Sequence, residues 1–565
     1  MKGYSLAGGL LLIAFTGCRR EPKVVTFHEH IAPIVQTRCA TCHRPGEAGP
    51  FTLLTYEDVK KRASQIGKVT ASRYMPPWLP EPGPLKFEGD RSLSEKEIRL
   101  IQRWVESGAP EGKPSKTENP TPKVQEWHLG KPDLVVTMQE AYDLPAGGRD
   151  VYRNFVLPVP LATNRLVRAM EVKPGSKSVH HAFVRIDRLR ESRRLDAKDP
   201  EPGFGGMHAP PSAQSPDGFF LSWQPGKVAS TNKHGLSWLL EKNSDLVIQA
   251  HLQPTGKPEP VRFSVGFYFA DKPSPLLPMK IWMRSMNIDV PAGATNHIVE
   301  ESYVLPVPVE VLAILPHAHY LGREMRGRAT LPDGTETTLL SIKQWDFNWQ
   351  GDYQYKEPVK LPKGTRLSMR YSYDNSTNNA RNPNHPPQRV MYGVQSTDEM
   401  GELWLQVLVA NTNDQSILTA DVQKAIFNES LQYNQYLLRL NPADARAHSE
   451  LGKTLLLMAR RQEARAFLRR AIELDPDFDD PHYYLGLLLR LEGQLEPARG
   501  EFEAAVRLNP ENAKAHGNLG LVLIQLNQPV AARPHLETAL RLNPEDNIAK
   551  ETLRQINEAL GPQRQ

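Results

Sequence analysis

The chain has 565 residues, more than a single hydrophobic core usually supports, so three or four domains are expected. Hydrophobic residues make up 39% and charged residues 24%, which is a globular composition, and the net charge of +5 gives no reason to expect nucleic acid as a partner. The three cysteines are too few for a disulfide framework.

Residues 1–18 have the organisation of an export signal. A lysine at position 2 precedes an apolar stretch of about a dozen residues, too short for a membrane span, and small residues precede Cys18. Phe15-Thr16-Gly17-Cys18 resembles a bacterial lipobox, in which the cysteine is lipidated, although Phe15 replaces the preferred leucine and simple secretion remains the alternative. We expect a periplasmic or outer-membrane lipoprotein that touches the membrane only through its lipid anchor.

The segment 39–43 reads Cys-Ala-Thr-Cys-His. Two thiols at this spacing can form thioethers with the haem vinyl groups, and the adjacent His43 is placed to bind iron from one side. A zinc site would need a second ligand pair nearby, and a thioredoxin-like pair would need no histidine and a βαβ context. The segment therefore predicts one covalent haem c, attached through Cys39 and Cys42.

The second axial ligand of the haem iron is predicted to be Met75. It is the only methionine between residues 2 and 137, and two prolines follow it and fix the backbone that carries the thioether. The alternative is that Met75 fills the core and that His28 or His30 is the iron ligand.

A helix is predicted to close this N-terminal region. Ser94 and Glu97 form a capping-box pattern ahead of apolar residues at helical spacing. This resembles the closing helix of a small cytochrome c, and residues 24–113 are similar to that family throughout, which implies a small all-α domain. Residues 114–126 are rich in proline and polar side chains, and we expect them to form an extended linker.

Residues 127–415 have the pattern of antiparallel β-structure. Short β-branched and aromatic runs alternate with turns rich in proline, glycine and asparagine. The length suggests two all-β sandwiches, over 127–275 and 276–415.

Five histidines form three groups on this β scaffold: His180 with His181, His251, and His317 with His319. Residues two apart on a strand share a face, so the last pair can reach one metal ion. The adjacent pair would diverge on a regular strand and could share an ion only at a bend or an edge. Any single histidine is more simply explained by packing, but the grouping favours metal ligation.

Four segments carry a specific resemblance: His-His-Ala-Phe, Leu-Val-Ile-Gln-Ala-His, Pro-His-Ala-His-Tyr-Leu-Gly and Ser-Thr-Asp-Glu-Met. Their order and context resemble the copper type II, ascorbate-dependent monooxygenases, which include the peptidylglycine and dopamine β-monooxygenases, over about residues 130–412. The resemblance implies two jelly-roll-like domains with one copper ion each. The implied ligands are His180, His181 and His251 for an electron-transfer copper, and His317, His319 and Met400 for an oxygen-binding copper.

The resemblance also implies an activity, the hydroxylation of a C–H bond with O₂. A thioether ligand favours Cu(I), the state that meets O₂. The substrate would be a small molecule or peptide-like, and the electron donor would be ascorbate or a redox protein, with the fused cytochrome as a candidate relay. The rival interpretation is a cell-surface electron-transfer or copper-binding lipoprotein without hydroxylase turnover.

The chain departs from the animal members of that family at several points. The region 127–415 contains no cysteine, so packing alone must hold the sandwiches. Leu315 stands where the peptide-amidating enzymes carry an arginine that grips the peptide carboxylate, so glycine-extended peptides are not the expected substrate. Glu402 and Trp404 are candidates for lining a different pocket, although Trp404 is equally well explained as core packing.

The last 125 residues repeat with a period of 34. Prolines recur at 442, 476, 510 and 544, and Leu-Gly recurs at 451–452, 485–486 and 519–520. This period predicts tetratricopeptide (TPR) repeats over 441–560, an α-solenoid preceded by connecting helices over 416–440 that could dock a protein partner. His448, His482 and His516 share the period, which makes them a repeat position and not a metal cluster.

Overall fold

The computed structural model describes residues 22, 24–45, 47, 49–114, 126–207, 209–227, 229, 234–544 and 546–560. The chain divides into two compact units. The first unit runs to Trp78 and resumes at Arg91, and the second unit comprises Leu79–Asp90 and the chain after the linker. The predicted export signal with Cys18 and most of the predicted linker lie outside the described residues. Among the described residues, no helix has the length and apolar character needed to cross a membrane.

The described part of the first unit is helical. Ile31, Ile101 and Trp104 are buried in its core. The predicted capping box is confirmed, because Ser94 Oγ accepts the Glu97 N–H and the Glu97 carboxylate accepts the Ser94 N–H. The elements are a π-helical turn at Phe27–Ile31 and helices α1 (Ala32–Arg38), α2 (Tyr56–Lys60), α3 (Ala63–Ala71) and α4 (Glu95–Glu106).

The β-rich middle of the chain is confirmed, and its first part contains twelve strands and one short helix. The strands of the two main sheets pair antiparallel, in the orders β1-β12-β4-β9 and β6-β3-β10-β5-β7, with β8 added to β5. Phe155, Val167 and Phe267 come from both sheets and are buried in one shared core. The elements are β1 (Leu134–Thr137), β2 (Tyr142–Leu144), β3 (Val151–Pro158), β4 (Arg165–Lys173), β5 (Val179–Asp187), α5 (Ser192–Lys198), β6 (Phe204–Gly205), β7 (Ala213–Gln214), β8 (Ser222–Trp223), β9 (Trp238–Leu240), β10 (Asp245–Leu252), β11 (Glu259–Val261) and β12 (Ser264–Ala270).

The second part of the β region has two four-stranded sheets, in the orders β13-β22-β16-β19 and β15-β20-β17-β18. The sheets pack face to face: a Cβ added at Gly327 on β17 would lie 3.0 Å from Leu403 on β22 and 3.3 Å from Ile314 on β16. The strands are β13 (Leu277–Arg284), β14 (Asp289–Val290), β15 (His297–Val304), β16 (Val309–His317), β17 (Gly322–Thr330), β18 (Glu336–Ile342), β19 (Tyr353–Leu361), β20 (Arg366–Tyr373), β21 (Val390–Met391) and β22 (Glu402–Val409), with a 3₁₀ turn at Phe347–Trp349.

The two β domains meet at a small apolar cluster, formed by Phe219 and Leu236 of the first domain with Leu276, Leu312 and Leu408 of the second. The chain passes between the domains over 271–276, where the last strand of one precedes the first strand of the other. Since this region has no cysteine, burial of apolar side chains holds it together.

Residues 79–90 are part of the second unit, although they lie within the predicted N-terminal domain of residues 24–113. The Glu81 N–H donates to Ser341 O on β18, and the Glu88 N–H donates to Gln354 O on β19, each at 2.7 Å. Phe87 is buried against Tyr355, with ring centroids 4.9 Å apart. Both strands are sheet edges, so the segment covers main-chain groups that would otherwise be open to pairing with another chain.

The C-terminal helices form pairs related by 34 residues. Gly452, Gly486 and Gly520 recur where the first helix of each pair meets the second, and alanines at 464, 498 and 532 are fully buried. A Cβ at the middle glycine would lie 2.8 Å from the Phe502 ring, so only glycine allows this close approach. The helices are α6 (Thr412–Leu440), α7 (Ala445–Leu457), α8 (Arg461–Leu474), α9 (Asp479–Leu491), α10 (Leu495–Leu508), α11 (Ala513–Gln525), α12 (Pro529–Leu542) and α13 (Asn547–Leu560).

The long helix α6 attaches this helical region to the second β domain. Glu429 on the helix accepts a hydrogen bond from Arg284 Nε on β13 at 2.7 Å. The Tyr303 hydroxyl donates to Asp421, and the Tyr436 hydroxyl donates to Asp289, both at 2.8 Å.

Two glycine substitutions should have opposite effects on the stability of the repeats. Gly486→Ala should lower the free energy of unfolding by about 1–3 kcal/mol, because the added methyl group overlaps Phe502. Gly500→Ala, at an exposed position in α10 with no atom within 4 Å, should raise it by about 0.5–1 kcal/mol through helix propensity. Urea unfolding followed by helical circular dichroism measures both. Equal effects would contradict the close helix approach.

Candidate functional site

Three histidines converge on the outer face of the six-stranded sheet. His251 on β10 lies opposite His181 on β5. The register shifts at the next position, where Leu252 pairs with Val179, so His180 is an extra residue in a bulge. A bulge re-aims the side chain that it adds. The bulge explains how the adjacent His180 and His181 can direct their side chains to the same point, because the strand is irregular where they occur.

The distances among these histidines are those of donor atoms around one ion. The Nδ1 atom of His180 lies 3.0 Å from that of His181 and 3.1 Å from that of His251. Imidazole nitrogens bind a first-row ion such as zinc at about 2.0–2.1 Å, which brings two such nitrogens to about 3 Å from each other. Among the described residues, these three histidines form a group of potential ligands that could hold a metal ion.

Burial keeps the rings of His180 and His181 neutral, as a metal ligand requires. It lowers the pKa of His180 to about 3 and that of His181 well below its usual value. His251 Nε2 lies 2.7 Å from Asp150 Oδ2, and although burial opposes it, this hydrogen bond lowers the pKa of the Asp150 carboxyl. A carboxylate that accepts the outer N–H of a histidine fixes the ring and leaves the other nitrogen for a metal.

His317 is the last residue of β16 and His319 lies two residues beyond the strand, with the two ring centroids 5.2 Å apart. Their Nδ1 atoms donate to the Gln350 side-chain oxygen at 2.5 Å and to the Asp398 carbonyl at 3.1 Å, respectively. Both partners are acceptors through these oxygens, so each Nδ1 carries the proton and Nε2 is the nitrogen whose lone pair could ligate. His319 makes a further hydrogen bond with the main chain of Gln395. Burial lowers the pKa of His319 to about 3.

Glu399 ties the loop of Met400 to the turn of His319. Its buried carboxylate accepts the main-chain N–H groups of His319, Leu321 and Met400. Burial raises the pKa of Glu399 to about 8 despite these hydrogen bonds. The Tyr373 hydroxyl fixes the same loop by donating to the Met400 carbonyl at 2.9 Å. The half-buried Met400 is therefore held near this pair through one carboxylate, while its ligand role stays a prediction.

Phe347, in the 3₁₀ turn, contacts both histidine groups. Its ring centroid lies 5.2 Å from that of His180, 6.1 Å from that of His251 and 5.5 Å from that of His319. The two groups thus share one aromatic neighbour. No local pattern in the sequence distinguishes this phenylalanine from the others, and the same is true of Asp150 and Gln350.

The residues considered for a substrate pocket lie beside His317 on the same sheet face. His317 pairs with Glu402, and Leu315 pairs with Trp404. The Trp404 indole N–H donates to Glu402 at 2.9 Å, and its ring stacks on Trp282 at 4.3 Å. Trp404 is therefore packed in an aromatic pair on the outer face of the sheet.

In the first unit, the segment 39–43 forms a tight turn after α1. The N–H groups of Cys42 and His43 both donate to the Cys39 carbonyl. His43 Nδ1 donates to the Phe51 carbonyl at 3.0 Å, which leaves Nε2 for an iron ion. Burial raises the pKa of Cys39 to about 12 and also raises that of Cys42, so these are protonated thiols and not a low-pKa redox pair. The residues fit covalent haem.

The candidates for the second iron ligand have different surroundings. Met75 is half-buried, and its N–H donates to Val69 O at the end of α3. His28 Nε2 lies 3.3 Å from Glu111, and His30 Nδ1 accepts the Thr26 N–H. The alternatives to Met75 are thus engaged in local contacts.

The repeated histidines make three different contacts. His448 packs against Phe467, His482 bonds Glu501 at 2.7 Å, and His516 lies 3.1 Å from His535, each partner nineteen residues further along the chain. They occupy one structural position of the repeat, as predicted.

Comparison with known proteins identifies the C-terminal helices. Family models described as tetratricopeptide repeat match residues 445–478 and 483–547, so the predicted TPR repeats are confirmed. The solved structure of YrrB, "a TPR protein with an unusual peptide-binding site", is 28% identical over 23% of this chain and 66% of its own, with a TM-score of 0.22. Two structures of MamA are 21% and 22% identical, cover 27% and 24% of this chain and 86% and 75% of their own, and have TM-scores of 0.23. No curated protein matches the chain.

Removal of the Asp150 charge should weaken the three-histidine site. Asp150→Asn should lower its affinity for Cu(I), used as a probe metal, by about 10–100-fold, because the histidine loses the partner that orients it. Competition with a chromophoric chelator measures this affinity. Asp143→Asn, at an exposed position on β2, is the control and should have no effect. Equal affinities of the two variants would contradict the orienting role.

A methyl group at Gly49 should disturb the 39–43 turn. An added Cβ would lie 2.5 Å from the Cys42 carbonyl oxygen and 2.9 Å from His43 Nδ1. Gly49→Ala should therefore reduce the fraction of chain with covalent haem, measured as haem absorbance per protein. Gly83→Ala, with no atom within 4 Å of the new Cβ, should leave that fraction unchanged. Normal haem content in Gly49→Ala would contradict the predicted role of the turn.

Proposed function

We propose that this chain is an exported copper- and haem-containing monooxygenase that hydroxylates a C–H bond with O₂. The observation that carries the proposal is the difference between the two histidine groups. His180, His181 and His251 present three Nδ1 atoms to one point, whereas His317 and His319 hold their Nδ1 protons on acceptors and present Nε2. Two donor sets of different composition support two ions with different tasks.

The residues present fit copper at both positions. Neutral imidazoles bind either oxidation state of copper, and a thioether in the second set favours the reduced one. When bound, copper would supply one-electron transfer at the first set and activation of O₂ at the second. Asp150 orients His251 toward the first ion, and Glu399 holds the Met400 loop against the His319 turn. In this proposal the domains resemble the jelly-rolls of the copper type II monooxygenases.

The haem is proposed to relay electrons to the copper sites. Haem c passes one electron at a time, which suits the sequential reduction of two copper ions. Cys39, Cys42 and His43, with Met75 as the second ligand, would hold it in a cytochrome c-like domain. The chain that carries Met75 runs directly into residues 79–90, which belong to the unit with both histidine groups. Ascorbate or a separate redox protein is the alternative donor.

The remaining parts of the proposal concern location and partners. The TPR repeats support docking of a protein partner, since this repeat presents an extended concave surface. Export and lipidation at Cys18 follow from the signal pattern in the sequence.

The rival proposal is an electron-transfer or copper-binding lipoprotein that docks a partner through its repeats and has no hydroxylase turnover. The observation that favours it is the family match to the repeats, which supports docking of a partner. Analysis of the metal and haem content distinguishes the monooxygenase proposal from the rival proposal. Two copper ions per haem support the monooxygenase, and one or none supports the rival.

The decisive variant is Met400→Ile in the full chain. It should abolish substrate-dependent O₂ uptake while leaving haem content unchanged, because it removes the thioether from one donor set only. Met391→Ile, on the neighbouring strand β21, is the control and should retain uptake. Full activity of Met400→Ile would contradict the proposed ligand.

Copper-loaded and copper-free preparations of the full chain test the proposed electron relay from haem to copper. After anaerobic reduction, O₂ and substrate should reoxidise the haem faster in the copper-loaded protein than in the copper-free protein. Equal rates would exclude transfer from haem to copper.

A further inference from the structure

The face that carries the three histidines continues along β5 toward an arginine. His181, Phe183 and Arg185 alternate on the outer side of the strand, and the pairing with β10 is regular between them. Phe183 is 37% exposed although it lies in the centre of a sheet face, and its ring contacts that of His181 at 5.6 Å. Four residue steps along the strand separate the histidine from the arginine, a distance of about 13 Å.

The second β domain has a matching outer face. His317 on β16 pairs with Glu402 on β22, and four residues further along β22 Gln406 pairs with Lys280 on β13. Because β22 lies between β16 and β13, this step of about 13 Å along the strand adds to two strand spacings of about 4.8 Å, and the lysine lies about 16 Å from the histidine. Leu315 and the half-buried, stacked indole of Trp404 lie midway.

The outer faces of the two β domains are brought together by contacts at both ends. At the histidine end, Phe347 contacts rings of both domains. At the other end, the loop 215–221 is bonded to Val184 beside Arg185, and its Gly218 carbonyl accepts the Gln406 amide at 2.6 Å. Just beyond, the apolar cluster joins the domains. The faces thus bound one cleft, with the histidines at one end and Arg185 and Lys280 at the other.

The two cations at this end are poorly compensated. Arg185 makes a hydrogen bond at 3.5 Å to the neutral Gln249, and its buried Nε has no partner. Within the described part of the chain, neither Arg185 nor Lys280 has a carboxylate within ion-pair distance. Burial lowers the pKa of Lys280, with the nearby Arg185 acting in the same direction and the exposed Asp217 opposing it. Arg185 and Lys280 are half-buried, and cations partly removed from water are costly unless an anion joins them.

We propose that Arg185 and Lys280 bind the anionic head group of the substrate, which is an amphipathic carboxylate with an apolar body. The inference rests on the proposed function and names the substrate class of the same cleft. Phe183, Leu315 and Trp404 line the middle of the cleft and suit an aliphatic or aromatic body. The carbon that is hydroxylated lies about 13 Å from the head group, at the histidine end.

The position also accounts for the departure at Leu315. An anion held at Arg185 and Lys280 lies two residue steps beyond Leu315, so the substrate reaches further along the strands before its charge is met. The cleft therefore selects a long apolar spacer between charge and reacting carbon. Short amino-acid-like substrates would place their charge among apolar side chains, which is unfavourable.

Binding of decanoate to the copper-free, haem-containing full chain tests the site by titration calorimetry. Decanoate should bind at least tenfold more tightly than decan-1-ol, and decylamine should bind more weakly than both, because one charge-assisted contact changes affinity by at least that factor. The double variant Arg185→Met, Lys280→Met should lose the preference for decanoate and keep its affinity for decan-1-ol. Retained decan-1-ol binding shows that the variant cleft is folded.

Arg188→Met is the matched control, because Arg188 lies just past the same strand but pairs with Glu241 at 3.3 Å. It should keep the full preference for decanoate. The proposal is overturned if decanoate binds no better than decan-1-ol, if the double variant keeps the preference, or if decanoate does not bind at about 1 mM. Since copper is absent, failure of hydroxylation leaves this result unchanged, and loss of the preference alone leaves the hydroxylation proposal standing.

Discussion

The convergence of three imidazole nitrogens is the constraint on which the first β domain depends. Nδ1 atoms of His180, His181 and His251 that lie about 3 Å apart in a buried place cannot all satisfy one another, because a proton can bridge only two of them at a time. The fold holds them there through the paired strands β5 and β10, which lie in the interior of the sheet. The bulge at the first histidine and the carboxylate of Asp150 complete the arrangement. The irregular end of β5 is thus maintained by its pairing with the regular strand β10.

In each sheet that carries histidines, one face packs in the core and the other face carries the side chains of the site. On β22, Leu403 and Leu405 face the core and are fully buried, whereas Glu402 and Trp404 alternate with them and face the side of His317. A slip of one residue in register would exchange the two sets, so core packing also fixes which side chains reach the site. Without disulfides, the precision of the site rests on this packing.

Helix α6 and the segment 79–90 are attached to the second β domain by different physical means. Helix α6 uses side chains, with an ion pair between Arg284 and Glu429. The segment 79–90 uses its main chain, which bonds two sheet edges, and Phe87 is buried there. Main-chain pairing at an edge depends little on side-chain identity, and therefore leaves little trace in the sequence.

The sequence by itself determined what local periodicity encodes: the 34-residue repeat with its glycines and the capping box at Ser94. These follow from helix geometry within a short window. Only the tertiary structure decided the rest. The bulge at His180 depends on the register with β10, and Asp150 reaches its histidine from 101 residues away. Such partners are selected by how sheets and loops pack, and no short pattern in the chain records that choice.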